Sequence, residues 1–341
     1  MRILAIETSC DDTCCAILEI KNKKIKILSD VVSSQVKIHR QYGGVYPFLA
    51  KREHIKNLPF VFKKSMKKAG NPALDLIVAT NGPGLEPCLW TGINFAKELS
   101  EKLKLPIVPV NHIEAHLLIN FIDKKLKADF LPAVCLVVSG GHTQLILLKG
   151  IGQYKILGET RDDAAGECFD KVARILGLGY PGGPAIAAKA AKLQTKNYKL
   201  KTKLPRPMMN QKNYDFSFSG LKTAVLYKVK SEKRKMKNRE YVEIMCRETQ
   251  QAIIDVLLHK ALRAAKEYQV KSIILGGGVA ANNELRKQFK TQSSKLKVNL
   301  LVPPKNYCTD NAVMVALAAY YCRLKNKKEI REISADANLK L

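Results

Sequence analysis

Apolar residues near the start of the chain fall into short β-branched runs separated by small or acidic residues. Residues 1–20, MRILAIETSCDDTCCAILEI, place two such arms around a polar stretch, which predicts strand, tight turn, strand. Residues 133–149, AVCLVVSGGHTQLILLK, repeat the plan with SGGHT as the turn. The two stretches differ in sequence but share a design, and each stands near the start of one half. Two lobes of related topology are therefore expected. A third pattern, SIILGGGVAANNELRKQF at 272–289, reads as a buried strand, three glycines, and an amphipathic helix beginning between Ala280 and Asn283. Helical periodicity marks 47–70, 88–105 and the long stretch 241–268, whereas 74–84 reads as a strand ending in a loop. Residues 105–122 read as a strand running into a helix. Only about 195–240 is expected to be irregular, apart from FSFSGLKTAV.

Composition adds a compartment and a partner class. The 341 residues suit two cores better than one, and 46% hydrophobic with 26% charged residues is ordinary for a globular protein. No apolar run reaches the length of a membrane span, and MRILAIETSC turns polar too soon for a signal peptide, so a cytoplasmic protein without a membrane partner is expected. The nine cysteines are scattered and contain no C-x-x-C pair, which indicates neither a disulfide framework nor a zinc ribbon. Cys10, Cys14 and Cys15 read as small buried thiols. The formal net charge of +28 is concentrated in lysine clusters at 21–26, 63–68, 196–207 and 228–239. Such a balance favours a polyanionic partner, nucleic acid first, over a merely lysine-rich surface. No aromatic RNA-recognition signature accompanies it.

The chemistry begins at NHIEAH, residues 111–116. On a helix His112 and His116 share a face and can grip one metal ion. The pair differs from the H-E-x-x-H peptidase signature, because Ile113 stands where the glutamate belongs and Glu114 lies across the turn. Either this is another kind of metal site or two helical histidines lie near each other by chance. His259, inside the long helix, reads as a packed residue. The glycines at 276–278 fit neither G-x-G-x-x-G nor a Walker A, but they let a ligand approach the backbone ahead of a helix N-terminus.

Two hairpin turns and a glycine-led helix together resemble the architecture shared by actin, heat-shock chaperones and sugar kinases. More specifically, IETSCDDT, GGVYPFLAKREH, NGPGLE, NHIEAH, VSGGHT, DDAAGECFDKVARILGLGYPGG, DFSFSGLKTA, GGGVAANNELR and CTDNAVM run in the order found in the TsaD family. Its members are tRNA N6-adenosine threonylcarbamoyltransferases, and the resemblance spans nearly the whole chain.

The resemblance implies a two-lobed α/β actin-like (ASKHA) fold with duplicated RNase H-like subdomains. The expected division is 1–110 for an N-terminal lobe and 111–320 for a C-terminal lobe carrying the metal site, the nucleotide site and a basic insertion near 190–240. A tail at 321–341 would pack back on the first lobe. The implied reaction moves a threonylcarbamoyl group from threonylcarbamoyl-AMP to N6 of the adenosine that follows the anticodon, in tRNAs reading codons that begin with adenine. A divalent metal, iron(II) before zinc, is implied on His112, His116 and Asp310. The implied nucleotide residues are Val138, Ser139, Gly140, Gly141, His142, Asp170, Gly183 and Asn282. Asp11 or Asp12 is the candidate proton acceptor. The implied partners are tRNA, a TsaB-like paralogue, a TsaE-like P-loop ATPase, and a TsaC-type enzyme supplying the adenylate. The chain departs from the family pattern at Asp12, where glutamate is common, and at Glu86, Pro87 and Trp90, where small or apolar residues are usual. The competing readings are a small-molecule kinase of the same fold, which needs no histidine pair, and a metallopeptidase.

Overall fold

The computed structural model describes residues 1–122, 128–193, 204–323 and 333–341. It divides into two compact units, Met1–Leu126 with Thr309–Leu341, and Lys127–Cys308.

In the first unit β1 (Arg2–Glu7) and β2 (Asp12–Lys21) form the predicted hairpin, with Arg2 opposite Glu19 and Glu7 opposite Cys14. A third strand, β3 (Lys24–Ser34), follows at once. Asn22 and Lys23, at φ 52° and 59°, make the two-residue left-handed turn that matches strand twist. The first lysine cluster is therefore the tip of a hairpin. After α1 (Val36–His39) come α2 (Pro47–Lys68), β4 (Leu76–Gly82), α3 (Glu86–Leu103), β5 (Ile107–Asn111) and α4 (His112–Leu118). The sheet order is β3-β2-β1-β4-β5, with β4 parallel to β1 and β5 parallel to β4. Leu4 and Ile6 on one face of β1 join Leu58 and Val61 of α2 and Ile93 and Ala96 of α3 in one core. Pro87 lies in the first turn of α3, where its missing N–H costs nothing.

The second unit repeats the plan. Its strands are β6 (Ala133–Val138), β7 (Thr143–Gly150) and β8 (Gln153–Glu159). Four helices follow: α5 (Ala165–Ile175), α6 (Gly182–Leu193), α7 (Ser219–Ser231) and α8 (Arg239–Glu267). The unit closes with β9 (Ser272–Gly276), α9 (Asn283–Leu296) and β10 (Asn299–Leu301). Read outward from the hairpin, β8-β7-β6-β9-β10 has the same order as the first sheet. The α8 helix carries Ile253, Val256, Leu257 and Ala261 into a core shared with Phe169, Phe216 and Phe289.

The basic stretch is more regular than its composition suggested. The α7 helix continues past the motif to Ser231, with Leu221 and Val225 buried, and a 3-10 turn covers Lys233–Lys237. Lys228 and Lys230 in the last turn face the negative end of the helix dipole, which favours helix there. Part of the cluster at 196–207 lies outside the described residues.

The chain then returns to the first unit as α10 (Ala312–Arg323), which packs on β1, β2 and α4. The final segment lies along the ends of β4 and β5. There the Asp336 amide donates to the Asn81 carbonyl at 2.8 Å, and Asn111 Nδ2 donates to the Lys340 carbonyl at 3.3 Å. No described helix is long and apolar enough to cross a membrane.

Candidate metal and nucleotide sites

The histidine pair owes its geometry to Asn111. Its side-chain oxygen accepts from the amides of Ile113 at 2.9 Å and Glu114 at 3.1 Å, so α4 starts at His112 immediately after β5. His112 and His116 then stand one turn apart, 5% and 1% exposed, with ring centroids 4.6 Å apart and planes at 84°. Asp310 comes from the segment just before α10, in the same unit. Its Oδ1 lies 3.1 Å from His116 Nε2 and 3.5 Å from His112 Nε2. One ligand atom from each of the three residues lies within 4.8 Å of the others. Two imidazole nitrogens and a carboxylate oxygen are a donor set suited to iron(II) or zinc.

Nδ1 of His116, on the edge turned away from Asp310, is buried with no hydrogen-bond partner among the described residues, so that ring lacks the anchor a ligating imidazole usually has. One further feature fits a cation. The cluster gathers negative charge around His112. Burial pulls its imidazolium down, yet the Asp310 and Glu7 carboxylates outweigh burial and lift it to about 9. His116 is held below the ordinary value by burial, and the neighbouring His112 charge acts the same way. A proton on His112 thus occupies the electrostatic place that a cation would take. The fit is good.

Glu7 was not anticipated among the site residues. It ends β1 fully buried, accepting from the Ser9 amide at 2.5 Å, Thr80 Oγ1 at 2.5 Å and His112 Nδ1 at 3.2 Å. Burial pushes its carboxyl up, but the charge and hydrogen bond of His112 bring it below the ordinary value. The available signal was a carboxylate closing an otherwise apolar strand, since a buried charge requires partners.

The turn after β1 carries the two acidic candidates. The Asp11 carbonyl accepts from the Gln35 amide at 3.0 Å. Asp12 is pushed up to about 7, first by burial; a hydrogen bond from Ser34 opposes this, and the Asp310, Asp11 and Glu7 charges reinforce it. Its Oδ1 is buried without a partner among the described residues. A carboxyl poised near neutrality suits proton transfer. His54 of α2 supports the turn: its Nδ1 meets Thr13 Oγ1 at 2.8 Å, and its Nε2 meets the Cys10 carbonyl at 3.0 Å.

The nucleotide candidates lie in the second unit. The turn Val138–His142 is closed by the Ser139 amide donating to the His142 carbonyl at 2.8 Å and the His142 amide donating to Ser139 Oγ at 3.0 Å. Gly140 and Gly141 are exposed, and a Cβ at either would meet nothing within 4 Å. Behind this open turn, the Gly166 amide of α5 donates to the Ser139 carbonyl at 3.1 Å. One helical turn later, Asp170 accepts from the Gly182 amide at 2.6 Å and so holds the start of α6. Burial raises its carboxyl, against hydrogen bonds from the Gly182 and Gly183 amides. Gly183 faces open space. Gly277, at φ +84°, lets the glycine-led turn approach β6 so closely that a Cβ would lie 2.4 Å from the Val138 carbonyl oxygen. Asn282 caps α9, accepting from the Glu284 and Leu285 amides at 2.9 and 3.1 Å, and donates to Gln250 Oε1 at 2.8 Å. These contacts link Ser139, Asp170 and Gly183 along α5 and α6, while Asn282 is held on α9 beside α8.

Residues 26–317 match a family model described as TsaD, tRNA N6-adenosine threonylcarbamoyltransferase. A protein of that name from Thermosipho africanus is 48% identical over the full length of both chains. Another from Thermotoga neapolitana is 47% identical over 94% of each chain. Among solved structures, HypF from T. kodakarensis superposes with a TM-score of 0.59 at 15% identity, over 94% of this chain and 47% of that one. A phosphate- and nucleotide-bound full-length HypF gives 0.57 at 12% identity, over 95% of this chain and 56% of that one. This chain thus spans about half of HypF, and the likeness bears on the fold alone, which is the actin-like one that the motifs implied.

Proposed function

Because the chain belongs to the tRNA N6-adenosine threonylcarbamoyltransferase family, we propose that it transfers a threonylcarbamoyl group from threonylcarbamoyl-AMP to tRNA. The acceptor is N6 of the adenosine that follows the anticodon, in tRNAs reading codons that begin with adenine. The observation that carries this reading is 48% identity over the full length of both chains. Partial or fold-level likeness would leave the activity open.

His112, His116 and Asp310 hold one divalent ion, iron(II) in preference to zinc. Bound there, the ion supplies positive charge for an anionic group of the substrate. The remaining work falls to the chain's own groups. The adenylate is already activated, so the protein mainly orients reactants and steadies negative charge. Within the turn Val138–His142 the exposed amides of Gly140 and Gly141, with Ser139 Oγ, receive the phosphate, because successive exposed amides make an anion-binding concavity. Asp170 and Asn282 have remaining hydrogen-bonding capacity for the nucleoside, and Gly183 leaves room for it. Asp12, or Asp11 beside it, accepts the proton released by the amine. The partners are tRNA, a TsaB-like paralogue, a TsaE-like P-loop ATPase and a TsaC-type enzyme that makes the adenylate.

The test is direct. The chain, with those partner proteins supplied, is incubated with threonylcarbamoyl-AMP and an unmodified tRNA transcript, and the digested nucleosides are analysed by mass spectrometry. Threonylcarbamoyl-adenosine should appear, and only in transcripts reading codons that begin with adenine. Its absence while the same partners modify tRNA with a related enzyme would refute the assignment.

A further inference from the structure

The three ligands of the metal cluster are not held alike. Among the described residues His116 has no partner on Nδ1, whereas His112 is gripped there from β1 and its turn, by Glu7 Oε2 and Ser9 Oγ, each at 3.2 Å. Glu7 is itself immobilised. The Ser9 amide occupies Oε1 and Thr80 Oγ1 occupies Oε2, so the carboxylate bridges β1, its own turn and β4 before it reaches α4. An ionised carboxylate only accepts, whereas a hydroxyl can serve either way. Glu7 therefore selects which nitrogen of His112 carries the proton.

We propose that Glu7 is a positioning residue of the metal site: it holds the proton of His112 on Nδ1 and turns the Nε2 lone pair toward His116 and Asp310. Outer-layer carboxylates of this kind fix the tautomer and raise the basicity of a ligating imidazole. The placement explains why a carboxylate is kept at 0% exposure at the end of an apolar strand, where an unpaired charge would be costly. It also explains the division of labour within α4. Asn111 fixes where the helix begins, Glu7 fixes how its first ring is turned, and the second ring is set by packing against the first. The inference rests on the metal reading above.

The experiment titrates cobalt(II) into the metal-free full chain, following the d–d absorption bands and competing with a chelator of known affinity. Wild type, Glu7→Gln, Glu7→Asp and His112→Ala are compared, with circular dichroism on each. Glutamine keeps the shape but presents an N–H₂ that can donate to Nδ1, which favours the tautomer with its proton on Nε2. Glu7→Gln should fold as wild type, bind cobalt(II) about 10- to 100-fold more weakly, and shift the d–d bands. Glu7→Asp retains the acceptor at a longer reach and should fall between the two; if Glu7→Gln does not fold, this variant decides by the same reading. Nitrogen-15 spectra of labelled histidine in the metal-free chain, taken above about pH 9 where the His112 ring is neutral, should show its Nε2–H tautomer growing in the glutamine variant. Unchanged affinity and bands in a folded Glu7 variant would overturn the role of Glu7 while leaving the metal site standing. A wild type that binds no cobalt(II), or binds it as well as His112→Ala does, would instead remove the metal reading itself.

Discussion

Asp12 and Asn282 each combine a structural and a chemical task at the scale of one side chain. Asp12 is pushed up to about 7 because its carboxyl is buried among other carboxylates. The unfolded chain holds that proton only to about pH 4, so folding takes one up between these values. Stability therefore falls as pH rises through this window and levels off above about 7. Asp12→Asn removes the charged form and can still accept from Ser34. In chelator-treated protein it should be more stable than wild type at pH 8 by on the order of 3 kcal/mol, with the gap closing near pH 4. Denaturant melts at the two pH values check this, and a gap independent of pH would contradict it. The same substitution should lower transfer activity, since the acceptor is lost. Asn282 was legible as the residue opening the glycine-led helix, but its bond across to α8 was not. The cap bonds to the Glu284 and Leu285 amides are local, whereas Gln250 comes from α8, which no local spacing announces. Asn282→Ala should cost about 1 kcal/mol in denaturant melts and weaken binding of an adenylate analogue, while metal content stays normal. Asn282→Asp keeps the cap and loses the donor, so it should recover most of the stability. Failure to recover would show that the bond to Gln250 matters more than the cap.

Elements were legible where apolar periodicity was long or a turn was strongly marked. The hairpin around Thr8–Asp11, the hairpin around Ser139–His142 and the long α8 helix all stand where the pattern placed them. The third strands, β3 and β8, were missed for different reasons. In β3 the alternation of Lys24–Ile27 breaks beyond Leu28, where Ser29 is buried and Val32 exposed, and the lysine charge masked the left-handed turn at Asn22–Lys23. In β8 only Gly158 of seven residues is fully buried, so an edge strand left little apolar signal. Glu7 escaped as a site residue because its partners, Thr80 and His112, come from β4 and α4, and only folding brings those segments together. The cap of α4 offers a test at this scale. Asn111→Ala removes acceptors for two amides at the start of the helix, which should cost about 1 kcal/mol and loosen the His112 ring. Cobalt(II) affinity should fall several-fold, without the change of tautomer expected for Glu7→Gln. Wild-type affinity in that variant would mean the helix start is fixed by other contacts.

For the whole molecule, a net charge of +28 is the property most directly tied to a tRNA substrate. The basic surface includes Lys228 and Lys230 on α7 and Lys233, Arg234, Lys235 and Lys237 beyond it. Replacing these six with glutamine should weaken tRNA binding irrespective of anticodon. It should also flatten the plot of log affinity against log salt by about 0.7–0.9 for each phosphate no longer neutralised. An unchanged slope would make this surface a solvated one. Duplication was legible at this scale because both halves open on the same hairpin plan, and the matching strand orders follow from it. Asp310 was not legible from spacing, since it lies 194 residues from His116 and entered only through the resemblance. The central claim is that this distant carboxylate closes a metal site with the two histidines. The most direct measurement is the metal-to-protein ratio, by inductively coupled plasma mass spectrometry, of wild type and Asp310→Ala loaded with iron(II) without oxygen and desalted. Two neutral imidazoles hold a divalent ion far less well than a set that includes a carboxylate. The account predicts close to one iron per wild-type chain and almost none in Asp310→Ala, with circular dichroism unchanged; a full equivalent retained by Asp310→Ala would contradict it.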